Sequence, residues 1–189
     1  MSHVIVIEFV SLDGVMQDPD GNEGSPQGGW AFRYGPEAVT GDPFGLSEVL
    51  GTGALLLGRR TWEMFAKIWP GRDDPFSAKM NAMPKLVASR SLVQAAGWQN
   101  STVLPGDLAA AVRERRRAQD IIVMGSASVV RTLLASDLVD EYRLMVFPLI
   151  LGEGMRLFPD GTAPVNLALA SAQATGPAVK LVYTRPDNQ

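Results

Sequence analysis

The chain has 189 residues, 46% of them hydrophobic and 20% charged, with a formal net charge of −3 and a sequence pI near 5.2. This composition predicts a single globular domain over residues 1–189 in the cytoplasm, and the mildly acidic balance argues against a nucleic acid or an anionic membrane as partner. With no cysteine and one histidine, His3, the chain is expected to have no disulfide, no thiolate catalysis and no metal site. No apolar run is long enough to cross a bilayer, and no signal peptide is expected at the N-terminus.

The first predicted element is a central strand over residues 3–10, which is apolar and β-branched apart from Glu8. Residues 17–41 are rich in Gly, Pro, Asp and Asn, which predicts a long irregular loop. Loops of this length in compact domains tend to be functional or disordered. Its interspersed aromatic residues favour a cover over a planar ligand, and the candidate substrate contacts are Ser11, Trp30 and Phe32.

A strand–turn–helix unit follows the loop. Residues 46–50 suggest a short helix, residues 54–57 a buried strand, and residues 62–69 a helix whose aromatic residues recur at helical spacing. The turn between this strand and this helix holds two arginines, and its candidate ligand-binding residues are Gly58, Arg59, Arg60 and Thr61. Residues 72–83 are predicted to be a polar connection.

The next strand is predicted at residues 85–88 and is ended by Ser89 and Arg90, with a further short strand at residues 102–104. Asp107 can cap a helix that carries the basic residues 113–117 on its exposed side. That basic run is interpreted as a solvated helix face.

Residues 121–124 form a short apolar run that predicts a buried strand, and a helix with apolar residues at helical spacing starts directly after it. Small residues at such a turn let backbone N–H groups approach a phosphate, and the helix dipole favours an anion there. A strand is predicted at residues 142–151, and two more, near 165–172 and 179–184, predict an antiparallel edge. The turn after residues 121–124 and the start of the helix that follows it contain the candidate phosphate-binding residues Gly125, Ser126, Ala127, Ser128 and Val129.

The three turns that begin at Gly58, Ser89 and Gly125 each follow a predicted strand of one α/β sheet. Because the carboxyl ends of parallel strands lie along one edge, these turns could converge on one ligand. A dinucleotide spreads several phosphates along its length, and arginine suits a terminal ribose phosphate through bidentate hydrogen bonds. The pattern therefore favours NADPH over NADH as cofactor.

Two motifs around these turns carry a resemblance to dihydrofolate reductases. Residues 57–63 (LGRRTWE) resemble the G-R-x-T-W-E segment of that family, and residues 83–92 (MPKLVASRSL) resemble its P-x-x-V-x-S-R-x-L segment. Three others, SLDG at 11–14, LVDE at 138–141 and PLILG at 148–152, are more similar to another branch. That branch is the reductase domain of the bifunctional riboflavin-biosynthesis deaminase–reductase, with its stand-alone relatives.

This resemblance spans residues 5–183 and implies a dihydrofolate-reductase-like α/β fold. A central, mostly parallel sheet would be flanked by helices and completed by an antiparallel C-terminal edge hairpin. Residues 59–61 would hold the adenosine-side phosphate of NADPH, residues 89–90 the adenosine region, and residues 125–129 the pyrophosphate. The loop over residues 14–30 would be a mobile lid that excludes water.

Two carboxylates are candidate catalytic groups. Asp13 is the leading polar group near the nicotinamide, with the alternative that it only ties down its loop. Counting back from the G-R-x-T turn reaches Asp42, at the place where dihydrofolate reductases carry a carboxylate that assists protonation.

Three functions remain open at this point. The first is an NADPH-dependent reductase of a small heterocycle, resembling the 5-amino-6-(5-phosphoribosylamino)uracil reductase of riboflavin biosynthesis. The others are a dihydrofolate- or pterin-type reductase and a nucleotide-binding protein without turnover. A homodimer is also expected, because stand-alone relatives suggest it and because the late strands could offer an apolar edge.

Overall fold

The structure is a computed structural model that describes residues 2–47 and 49–186. Its four helices are α1 (Arg59–Ile68), α2 (Pro75–Ala82), α3 (Leu108–Arg115) and α4 (Ala127–Ala135). Its strands are β1 (Val4–Ser11), β2 (Ala54–Gly58), β3 (Lys85–Ala88), β4 (Ser101–Leu104), β5 (Ile121–Met124), β6 (Glu141–Phe147), β7 (Ala168–Thr175) and β8 (Ala178–Thr184).

The strands form one mixed sheet in the order β4-β3-β2-β5-β1-β6-β8-β7, flanked by helices. β2 pairs in parallel with both β3 and β5, and β3 pairs in parallel with β4. β8 is antiparallel to β6 and to β7, which places a C-terminal hairpin at the sheet edge. The predicted fold class is therefore confirmed.

The chain divides into two compact units. The first contains the residues up to Ile5 and Gly45–Val139, and the second contains Val6–Phe44 and the residues from Asp140 onward. The first unit holds β2 to β5 and all four helices. The entire β2 strand is buried, as expected for a strand in the middle of a parallel sheet.

The second unit holds most of β1, the strands β6 to β8 and the long loop. Within this loop, Ala31–Tyr34 forms a short 3₁₀ helix. Its core is aromatic: the ring of Phe147 meets the rings of Phe9, Trp30 and Tyr34 at centroid distances of 5.7, 5.5 and 5.9 Å. None of the helices among the described residues has both the length and the apolar character needed to cross a membrane.

Two predicted elements were wrong. The helix expected at residues 46–50 is not formed by the described residues of this stretch: residues 49 and 50 lie in a turn, in which the Leu50 N–H donates to the Leu46 carbonyl at 2.9 Å. Conversely, the connection expected at residues 72–83 contains α2, whose N-terminus is capped by Asp74 through the N–H groups of Phe76 and Ser77. The Asp-Pro pair at this start is an ordinary helix signal that the prediction overlooked.

The predicted strand at residues 142–151 is shorter than expected. It ends at Phe147, because Pro148 has no N–H to continue the ladder. Residues beyond it run along the turn after β1, where Leu12 N–H donates to the Leu149 carbonyl at 2.8 Å.

Candidate cofactor-binding site

The turns after β2, β3 and β5 lie at one edge of the first unit. These strands are neighbours in the parallel part of the sheet, and Gly58 at the end of β2 lies opposite Ala88 at the end of β3. The three turns predicted to share an edge therefore do so, as the hydrogen bonds between them show.

Ser126 joins two of these turns through its side chain. Its Oγ accepts a hydrogen bond from the Gly58 N–H at 2.7 Å and donates one to Thr61 Oγ1 at 2.7 Å. Ser126 is also left-handed, at φ 68° and ψ 65°, a conformation uncommon for a residue with a side chain. The backbone is thus held in a strained form that points this hydroxyl at the neighbouring turn.

The two turns approach closely at a glycine on each side, where an added Cβ would crowd a neighbouring side chain. A Cβ atom on Gly58 would lie 3.1 Å from the Cβ of Ser126, and one on Gly125 would lie 3.0 Å from Cγ2 of Thr61. Gly125 also has a φ of +63°, which glycine adopts without cost. The side chains of Ser126 and Thr61 therefore pack directly against the two glycines.

Arg59 connects the β2 turn to the β3 turn. Its guanidinium donates to Ser91 Oγ at 2.9 Å and forms an ion pair with Glu63 at 3.4 Å. Ser89 Oγ accepts from the N–H groups of Ser91 and Leu92, which shapes the β3 turn. Sequence reasoning did not assign Glu63 a role, although its position four residues after Arg59 on a helix is a recognisable pairing signal.

Arg60 and Arg90 are, like Arg59, exposed cations of these turns. In the part of the chain that the structure describes, neither makes a hydrogen bond or an ion pair. Arg59 is partly neutralised by Glu63, so Arg60 and Arg90 are the side chains best able to meet a phosphate.

The helices that start at these turns lack side-chain caps. Neither α1, which begins after Gly58, nor α4, which begins after Ser126, has a capping side chain, and neither has an acidic residue in its first turn. By contrast, Asp74 caps α2 and Asp107 caps α3. The helix ends at this sheet edge thus retain N–H groups and positive dipole ends that suit an anion.

Not every predicted residue of the α4 turn can offer a side chain to a ligand. Ala127 and Val129 are buried, and Val129 packs toward the Gly58 backbone, whereas Ser128 is exposed. Any contact from Ala127 or Val129 would therefore come from the backbone, as the predicted pyrophosphate role requires.

Asp13 lies in the second unit and is tied into a hydrogen-bond network. Its carboxylate accepts from Ser11 Oγ at 2.6 Å and from the N–H groups of Leu151 and Gly152 at 3.1 and 2.8 Å. The Ser11 hydrogen bond, helped by these backbone bonds, lowers the pKa of Asp13 to about 2. A carboxylate ionised this firmly carries no proton to donate near neutral pH, so the geometry favours the anchoring alternative.

Of the predicted substrate contacts, only Phe32 presents its side chain to solvent, with 52% exposed. Trp30 is fully buried, and its indole N–H donates to the Gln17 carbonyl at 2.8 Å. The Ser11 hydroxyl is buried between Asp13 and the N–H of Val15. A ligand could reach Trp30 or Ser11 only if this packing opened.

The predicted lid is anchored by a buried aspartate. Asp18 accepts hydrogen bonds from the N–H groups of Glu23 and Ser25 at 2.9 and 2.8 Å, and its carbonyl accepts from Gly21 and Gly29. The loop around residues 18–29 is consequently an ordered turn system in the second unit.

Asp42 is half-buried in the irregular segment between Gly41 and Pro43. No helix of the described chain contains it, so the helical carboxylate expected by counting back is absent at this position. No group of three His, Cys, Asp or Glu residues within the described ranges is arranged to hold a metal ion.

Comparison with solved structures defines the class of fold. The chain matches a crystal structure from Shewanella sp. PV-4, provisionally assigned to riboflavin biosynthesis, with a TM-score of 0.75 and 20% identity, covering 98% of this chain and 99% of that one. It also matches a pyrimidine reductase-like protein from Corynebacterium diphtheriae with a TM-score of 0.65 and 14% identity, covering 99% and 93% of the two chains. The chain therefore shares its fold with both of these proteins.

Residues 2–181 match the family model of the RibD C-terminal domain, and the chain belongs to that family. Among curated proteins, it is 28% identical over 137 residues to the uncharacterized protein YyaP of Bacillus subtilis (strain 168), covering 68% of this chain and 72% of YyaP. The uncharacterized protein YwjB of the same organism is 32% identical over 72 residues, covering 38% and 41%. Membership of this family favours an oxidoreductase.

Proposed function

We propose that this protein is an NADPH-dependent reductase that transfers a hydride to a small heterocyclic substrate, resembling the 5-amino-6-(5-phosphoribosylamino)uracil reductase of riboflavin biosynthesis. The observation that carries the proposal is the sheet edge of the first unit. Three turns meet there, two uncapped helices begin there, and the exposed guanidinium groups of Arg60 and Arg90 lie on its turns.

The residues present fit a phosphorylated dinucleotide. The N–H groups at the start of α4 would receive the pyrophosphate, since no side chain caps this helix and its first turn has no acidic residue. Arg60 and Arg90 would bind the adenosine-side phosphate, because a guanidinium forms paired hydrogen bonds with phosphate oxygens. The bound cofactor supplies the hydride, and the chain's own contribution is to bind and orient it.

Arg59 has a different role in this proposal. Its hydrogen bond to Ser91 connects the β2 turn to the β3 turn, and its ion pair with Glu63 lies within α1. We expect it to shape the phosphate site and to contribute less charge than Arg60.

Thermal unfolding with and without cofactor tests the binding step. A ligand at a hundred times its Kd stabilises a protein by about 2.7 kcal/mol, which for a chain of this size raises Tm by roughly 5–10 °C. We expect that rise with NADPH and a much smaller one with NADH at the same concentration. Equal shifts with both cofactors would contradict the assignment of the arginines to a phosphate.

Charge reversal of single turns tests which arginines produce the preference for NADPH over NADH. Arg59→Glu combined with Arg60→Glu should erase the preference for NADPH, and Arg90→Glu should weaken it. Arg115→Glu on α3 is the matched control, since this arginine is exposed on a helix that Asp107 caps and should leave the preference unchanged. A preference that survives the double reversal would make Arg59 and Arg60 ordinary surface residues.

Turnover is tested by NADPH oxidation with dihydrofolate, the ribosylaminopyrimidine and flavins as candidate acceptors. One observation favours the alternative of a nucleotide-binding protein without turnover: Asp13 is held ionised by its hydrogen bonds. An NADPH-specific rise in Tm without oxidation of NADPH by any acceptor would support that alternative, whereas oxidation with one acceptor class would establish the reductase and name its substrate.

A further inference from the structure

The two compact units of the chain carry opposite net charge. The first unit, which contains the candidate cofactor site, has twelve basic and eight acidic residues and a net charge of +4. The second unit has five basic and twelve acidic residues and a net charge of −7, and the two values together give the −3 of the whole chain. The first unit is therefore suited to a polyanion such as a dinucleotide, whereas the second unit repels anions.

Three arginines of the second unit already bond to groups of that unit. Arg33 donates to two backbone carbonyls of its own loop at 3.0 and 3.1 Å. Arg143 pairs with Glu141. Arg156 donates to the Asp13 carbonyl at 3.2 Å and lies 3.7 Å from the Asp13 carboxylate. A substrate phosphate would therefore find these guanidinium groups engaged within the protein.

Leu12 and Ile150 are exposed apolar side chains on two segments of the second unit, 65% and 72% exposed. Hydrogen bonds join these segments on both sides of Ile150: the Leu12 N–H donates to the Leu149 carbonyl, and the Leu151 N–H donates to the Asp13 carboxylate. The backbone that carries the two side chains is thus fixed from both directions. Exposed apolar side chains on such an ordered support often mark a binding site for an apolar ligand.

The charged groups next to these two side chains are mainly acidic. The Asp13 carboxylate directly follows Leu12 and is held ionised by its hydrogen bonds. Glu153 lies three residues after Ile150 and is exposed. Arg156 offsets one of the two carboxylates, so the immediate surroundings retain a negative charge that disfavours a second anion.

We infer that the acceptor of the proposed reductase is a flat, uncharged heterocycle, without a phosphate or a carboxylate, which binds on Leu12 and Ile150. This inference rests on the proposed function and narrows its substrate class, because the phosphoribosylaminopyrimidine and dihydrofolate both carry anionic groups. The reaction balances as transfer of one hydride from the reduced nicotinamide and one proton from water to the acceptor ring. Its products are the oxidised cofactor and the dihydro form of the acceptor.

Riboflavin and FMN are the matched probes, since they share one ring system and differ by a phosphate. Flavin fluorescence measures the binding of each to the wild-type chain and requires no turnover. We expect riboflavin to bind at least about tenfold more tightly than FMN, with the difference shrinking as salt screens the repulsion of the phosphate. Equal or tighter binding of FMN overturns the inference, and so does an absence of riboflavin binding.

Substitution of Ile150 tests where the flavin ring lies. Ile150→Lys should narrow the preference for riboflavin over FMN at least about threefold, because it places a cation where the charge is otherwise negative. Ile150→Gln is the matched control: it removes the apolar contact without adding charge, so it should weaken both flavins and keep their ratio. The side chain is exposed, so both variants should keep the wild-type Tm. A ratio that Ile150→Lys leaves unchanged would contradict the placement.

Turnover separates this inference from the proposed function. An absence of any rise in Tm with NADPH, alongside preferential binding of riboflavin, would contradict the cofactor assignment and support the uncharged ligand class. NADPH oxidation with a higher kcat/KM for FMN than for riboflavin would keep the reductase and overturn the inference about its acceptor.

Discussion

The Ser126 hydroxyl offers the sharpest test of how the candidate cofactor site is built. It accepts from the Gly58 N–H and donates to Thr61 Oγ1, so Ser126→Ala removes two hydrogen bonds and leaves a half-buried N–H without a partner. Each such bond contributes about 0.5–1.5 kcal/mol, and an unsatisfied buried donor costs about 1–3 kcal/mol. We therefore expect Ser126→Ala to lower the free energy of unfolding by about 2–3 kcal/mol.

Ser126→Gly separates the hydroxyl from the backbone strain. It removes the same two bonds, but glycine adopts the left-handed conformation that costs other residues roughly 1–2 kcal/mol. Its loss of stability should consequently be about 1 kcal/mol smaller than that of the alanine variant. Ser128→Ala, in the first turn of the same helix with its side chain exposed, is the matched control and should change stability little.

Urea unfolding measures the free energy of unfolding of these three variants, and NADPH titration measures their affinity for the cofactor. Because Ser126 holds the β2 and β5 turns together, Ser126→Ala should weaken NADPH binding about tenfold. An alanine variant as stable as wild type would show that the hydroxyl bridges nothing in solution. Equal losses for alanine and glycine would refute the strain argument.

Three further predictions concern single side chains. Burial lowers the pKa of Lys85 from 10.5 to about 8, so the folded chain binds fewer protons than the unfolded chain between these two pH values. The free energy of unfolding should therefore rise by roughly 3 kcal/mol as pH increases across this window. Urea unfolding at several pH values measures this rise, and Lys85→Met should abolish it. Gly28→Ala would drive a Cβ into the Asp18 carboxylate and should lower Tm and speed proteolysis of the loop at 18–29. Gly71→Ala, with open space around it and no left-handed backbone, should lower Tm far less; equal effects would contradict the steric argument. The ionised Asp13 carboxylate contributes roughly 2 kcal/mol of stability above its unfolded pKa of 3.8, and this contribution is lost as pH falls toward 2. Asp13→Asn should remove this stability while changing the turnover number less than tenfold. A hundredfold or greater loss of turnover would make Asp13 catalytic.

The elements that the sequence predicts best are those with strong local signals. Residues 85–88 and 121–124 are short apolar runs bounded by turn residues, and both are strands at those bounds. Asp107 caps α3 as its position predicts. The resemblance of the turns to those of a known family then fixes which strand ends must lie together.

The features that the sequence does not predict depend on tertiary packing. Trp30 and Phe32 are both aromatic and lie two residues apart in the same loop, yet Trp30 is fully buried and Phe32 is half exposed. Only the packing of Trp30 against Phe147 distinguishes them. The left-handed conformation of Ser126 has no sequence signal, since a residue with a side chain rarely adopts it. Local patterns therefore locate the turns but leave the direction of each side chain open.

The ionisation state of Asp13 limits what the chain itself can add to hydride transfer. The Ser11 hydrogen bond contributes most to the lowered pKa of Asp13, and the N–H groups of Leu151 and Gly152 stabilise the same negative charge. The chain has one histidine, which lies at residue 3, and no cysteine. A reductase built from these residues would therefore take the proton from another carboxylate, from water or from the substrate itself. Its acceleration would come mainly from holding the cofactor and the substrate in a reactive geometry, which can lower a barrier by about 7–11 kcal/mol without any acid.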